Sequence, residues 1–159
     1  MLSVICLGFT SCRDDAELPN PGTPTNPQEA TAGTYTGKWT VQNITTGADP
    51  VEYDGTMTLK AVQQYVTEMS LSCPDFFSGD AASIVPIVTN ANIAKGGVGY
   101  QFSNPMGMMV YVDGKQAVGA SKYSGTITNG GEISLFFQAS FKEGRSTTAY
   151  SISFLGNKN

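Results

Sequence analysis

Three carboxylates, Asp49, Glu52 and Asp54, fall within six residues, and Gly55 follows them. Clustered oxygen ligands beside a glycine that permits a sharp turn are the raw material of a calcium site. Their spacing fits no helix–loop–helix calcium loop, and a solvated hairpin accounts for the same residues. The expectation is no metal site, with Asp49, Glu52 and Asp54 as the one calcium candidate. As an acid–base pair, Glu52 and Asp54 would share one strand face, and nothing separates their roles. The chain has no His. That removes Ser-His-Asp and Cys-His catalysis, His-ligated zinc and histidine proton shuttles. Of the three cysteines, only Cys73 falls in the expected domain. It has no partner for an internal disulfide there, no Cys-x-x-Cys motif and no nearby cation to lower its pKa. It reads as a small core or loop residue. Gly33–Lys38 lacks the frame of a phosphate loop and the helix that should follow. The expectation is a protein that is not an enzyme and needs no cofactor.

Two apolar groups are left. Pro74-Asp75-Phe76-Phe77 lies in the least strand-like stretch, and Met106-Gly107-Met108-Met109 gathers three of the six methionines. Adaptable thioethers and loop aromatics suit a contact surface. They equally suit a plug over the end of a barrel.

The elements that must position these residues follow a period of two. Tyr35, Trp39 and Val41 share one parity; Thr36, Lys38, Thr40 and Gln42 share the other. Met57, Leu59 and Ala61 alternate with Thr56, Thr58 and Lys60. Thr67, Met69 and Leu71 alternate with Glu68, Ser70 and Ser72. Ile133, Leu135, Phe137, Ala139 and Phe141 oppose a polar face that only Phe136 breaks. Asp113-Gly114 and Asn129-Gly130 are tight-turn signals between such runs. Gly is abundant, 18 of 159 residues, and charged residues are only 14%. Eight or so strands joined by short turns form an antiparallel meander, and closing it into a barrel removes the exposed edges. A β-sandwich is the alternative. Net charge is −4, which argues against a nucleic-acid partner bound by phosphate neutralisation. No apolar run is long enough for an ordinary membrane-spanning helix.

The N-terminus has its own logic. Leu2–Phe9 is a mostly apolar run of signal-peptide type. Phe9-Thr10-Ser11-Cys12 resembles a bacterial lipobox, which implies cleavage before Cys12 and its acylation. Residues 1–11 are then the signal peptide. No basic residue precedes Arg13, so a few are expected upstream in the coding sequence. Arg13-Asp14-Asp15-Ala16-Glu17 resembles the acidic export tag of Bacteroidetes surface lipoproteins. The resemblance implies an outer-membrane, lipid-anchored protein exposed at the cell surface, with a periplasm-facing one as the alternative. Residues 12–32 would hold the lipidated cysteine, the tag and a Pro-rich linker expected to be extended. The domain is 33–159.

Gly37-Lys38-Trp39 in the first strand resembles the Gly-x-Trp signature that opens lipocalins and other calycins. The resemblance implies an all-β, up-and-down, lipocalin-like barrel of about eight strands. It also implies that Trp39 closes one end, packed on a late basic residue, for which Arg145 is the candidate. With the N-terminal features, the chain resembles small calycin-like lipoproteins of Bacteroidetes. Two functions are compatible with that. In one, the barrel interior or mouth binds a small apolar or amphipathic ligand, lined by Trp39, Met57, Met69, Phe76, Phe77, Met108 and Phe137. In the other, the barrel is solid and binds an envelope protein or a glycan through its loops or outer face.

Overall fold

The computed structural model describes residues 26–63, 66–77 and 87–159. β1 (Gly33–Asn43) pairs with β2 (Val51–Gln63), β2 with β3 (Val66–Ser72), β3 with β4 (Ile87–Lys95), and β4 with β5 (Gly99–Met108). A two-stranded hairpin, β6 (Tyr111–Val112) and β7 (Lys115–Gln116), interrupts the meander. β8 (Ser121–Thr128) then returns beside β5, followed by β9 (Glu132–Glu143) and β10 (Ser146–Lys158). β10 pairs back onto β1, and every pairing is antiparallel. The sheet is a closed, eight-stranded, up-and-down barrel, as the alternation and turn signals predict. The β-sandwich alternative is set aside.

Burial explains why the chain takes this register. In β9, Ile133, Leu135, Phe137, Ala139 and Phe141 are buried, while Phe136 and Gln138 are exposed. A large apolar side chain taken fully out of water contributes roughly 1.5–3 kcal/mol. A one-residue slip would turn all five outward at once, so the pattern fixes the register. Asp113 and Gly114 both have positive φ, 49° and 70°, which suits the tight turn between β6 and β7.

Glycine makes room for the large rings. Gly37 lies between Gly55 on β2 and Gly156 on β10. A Cβ on Gly37 would stand 2.0 Å from the Leu155 carbonyl oxygen, so the strands approach there as only glycine allows. A Cβ on Gly55 would strike the Trp39 indole, and one on Gly125 would strike the Phe102 ring.

A segment packs over each end of the barrel, and a hollow of about 380 Å³ stays open beside α1 (Pro27–Thr31), between Thr31, Tyr35, Tyr100, Ile127 and Lys158. At one end, α1 sits across the opening, with Gln28 and Thr31 buried. Asn26 caps it, its side-chain oxygen accepting from the Glu29 amide at 2.9 Å, and Pro27 takes a first-turn position. The Tyr35 hydroxyl donates to the Thr31 carbonyl at 2.7 Å, tying the helix to β1. The linker expected to run extended to Ala32 therefore ends in a helical turn. Prolines hid it, because a first-turn proline gives up no helical hydrogen bond. At the other end, the turn after β3 brings the Phe76 and Phe77 amides onto the Cys73 carbonyl. The β6–β7 hairpin covers the same end. It is tied down by the Val118 amide on the Ser140 carbonyl and by the Lys115–Glu143 ion pair.

Candidate functional site

The residues expected to line an internal ligand are packed against one another. Trp39, Met57, Met69 and Phe77 have 0% accessible surface, and Phe137 has 1%. A side chain with no accessible surface borders no space that a water molecule fits. Phe77 meets Trp39 edge-on, with ring centroids 5.1 Å apart, and lies near-parallel to Phe137 at 6.4 Å. Phe154 closes on Trp39 at 4.8 Å. The Trp39 indole N–H donates to the Ser72 carbonyl at 3.1 Å, so its polar edge is satisfied inside the wall. Phe76 packs between Tyr53, tilted against it, and Tyr150, which meets it edge-on, and Met108 is buried at the same end. Phe76–Phe77 is thus a plug.

The Trp39–Arg145 pair does not form. Arg145 is exposed in the turn between β9 and β10. Trp39 lies opposite Phe154, nine residues further along β10. That is about 30 Å of strand. Phe77 and Phe154 pack on the indole instead.

The calcium candidate does not assemble either. Strand alternation turns Asp54 outward, where it pairs with Lys38 at 2.7 Å. Glu52 and Asp49 are exposed. Among the described residues, no three acidic, His or Cys side chains converge. Cys73 is buried, and burial pushes its thiol up to about 11, away from thiolate chemistry. Cys12 and the acidic run after it lie outside the described residues.

A larger open concavity lies outside the barrel. A groove of about 820 Å³ runs across the outer wall over β4, β5, β8, β9 and β10. Two rows of outward side chains form it. The first runs Asn92, Ser103, Ser124, Phe136, Ser153, each opposite the next on adjacent strands. The second runs Ala94, Gln101, Thr126, Ser134, Leu155 in the same way. Five strands at a spacing of about 4.8 Å make the groove about 19 Å wide across the strands. Seven of these ten side chains are hydroxyls or amides, three are apolar and none is charged. Thr126 and Ser134 hydroxyls bond to each other at 2.9 Å. Beyond Leu155 the second row meets Lys38 and Asp54, which neutralise each other, and exposed Lys122 and Glu132 flank the groove two residues along β8 and β9. Phe136 and Leu155 stand on the wall with 48% and 56% of their surface exposed. A second hollow of about 320 Å³ shares Phe136 and continues past Gln138, with Lys122 its one charged lining residue.

Sequence reasoning did not single out this groove. Its one legible signal was Phe136, the break in the polar face of β9. Comparison with known protein families, with curated proteins and with solved structures finds no match to this chain.

Proposed function

We propose that this chain is a non-catalytic binding module with a lipocalin-like barrel. It is anchored by lipid on Cys12 at the bacterial outer membrane and engages its partner on the outer wall. The observation that carries this reading is the contrast between a filled interior and an open, uncharged groove outside. Trp39, Phe77, Phe137 and Phe154 occupy the space an internal ligand would need. The lipobox-like Phe9–Cys12, the acidic run after it and the proline-rich segment support a membrane tether. Anchoring of this kind uses two or more acyl chains.

Native mass spectrometry of the full chain, purified in detergent from envelopes, tests both halves. The expected species carries acyl chains on Cys12 and no non-covalent apolar passenger. An unmodified Cys12 would overturn the anchor. A reproducible apolar mass lost on denaturation would return the site to the barrel interior.

A further inference from the structure

We infer that the outer-wall groove takes a neutral oligosaccharide. The inference rests on the outer-wall reading above and names its ligand class. A sugar presents hydroxyls that donate and accept in turn, and carries no charge. The groove answers with the same chemistry. Ser, Thr, Asn and Gln side chains each both donate and accept. They are displayed on a rigid, closed sheet, so little ordering is needed when a ligand arrives. No charge lines the groove, which disfavours an anionic lipid, a phosphate or an acidic peptide.

Phe136 supplies the remaining element. The C–H face of a pyranose ring packs on the electron-rich face of an aromatic ring. Phe136 stands half exposed on a strand whose other outward residues are polar. It also lies between the two hollows, so a chain of sugars crossing it would reach both. A protein partner would ask for a broader apolar centre than Phe136 and Leu155 provide. The hydroxyl-rich floor would then lie buried against groups that do not match it.

Affinity electrophoresis of the full chain in detergent tests this. Gels are cast with soluble xylan, mannan, glucan or galactan, and with polygalacturonate as the acidic comparison. Retardation in at least one neutral gel is expected. Phe136→Ala should weaken it by tenfold or more, Phe136→Tyr should retain it, and polygalacturonate should retard neither. A thermal melt of Phe136→Ala matching the parent shows that the fold is intact, as expected for a half-exposed side chain. No retardation in any neutral gel overturns the inference. So does equal retardation of Phe136→Ala. A photo-crosslinker at Thr126, used on whole cells, separates the two levels of failure. If it captures an envelope protein while the neutral gels stay silent, the sugar is wrong and the outer-wall site stands. If it captures nothing as well, both fail.

Discussion

Phe77 comes from a loop, yet it lies at 0% exposure between Trp39 and Phe137. If the interior is filled rather than waiting for a ligand, Phe77 is core. Its removal should then cost what a core ring costs. The transfer contribution of the ring is about 2–3 kcal/mol. The cavity left behind raises the total to about 3–5 kcal/mol, because rigid strands cannot collapse onto the void. A domain of this size has roughly 5–15 kcal/mol in all. Phe77→Ala should therefore still fold, with a melting temperature lowered by roughly 10–20 °C. Trp39 is the only tryptophan, so its fluorescence during urea unfolding reports directly from beside the site. The lost ring has the shape of benzene, and a dry cavity of that shape takes benzene. Added benzene should raise the midpoint of the variant and leave the parent unchanged. A loss below about 1 kcal/mol, or a parent that itself responds to benzene, would refute the filled interior and make Phe77 a lid.

Gly125→Ala would place a Cβ 2.1 Å from Phe102 Cζ and 2.4 Å from the Ser134 carbonyl oxygen, and should cost about 1–3 kcal/mol in urea unfolding. Gly97→Ala, with nothing within 4 Å, should be neutral or slightly stabilising in the same assay. Thr67 is fully buried and its hydroxyl has no hydrogen-bond partner among the described residues. Thr67→Val should therefore stabilise the fold by about 1 kcal/mol, read as a higher urea midpoint. Burial raises Cys73 to about 11 and Tyr35 and Tyr123 to about 12, from ordinary values of 9.0 and 10.0. The neutral forms are the ones the fold holds. Their contribution to stability should be complete below about pH 9 and be lost as pH rises toward 11–12, measured by thermal melts from pH 8 upward. Iodoacetamide should label Cys73 only once the chain unfolds.

The strands were legible because one face of each must be apolar, and β9 declares this with five alternating large or small apolar residues. The tight turn at Asp113-Gly114 was legible because its positive φ values select that pair. The plug at Phe76–Phe77 was legible only as two alternatives, since a loop aromatic reads the same whether it points in or out. α1 was not read, although Asn26, Pro27 and Glu29 carry its cap signal, because the surrounding prolines suggest an extended chain. The Trp39–Arg145 pair failed because a resemblance cannot tell how far along β10 the partner of Trp39 lies. The groove was illegible for a deeper reason. Its lining comes from five strands, and each contributes two outward residues that look like an ordinary solvated face. Only register across the closed sheet gathers Gln101, Thr126, Ser134 and Phe136 into one surface.

The most direct measurement is an amide NMR titration of the full chain in detergent micelles, with oligosaccharides from the neutral polysaccharide that retards it most. A ligand on the outer wall should shift Gln101, Ser124, Thr126, Ser134, Phe136 and Ser153 together, leaving Trp39 and Phe77 in place. Shifts centred on Trp39, Phe77 and Phe137 would contradict a solid barrel that binds from its outer face, and no shifts at any concentration would contradict a neutral sugar as its ligand.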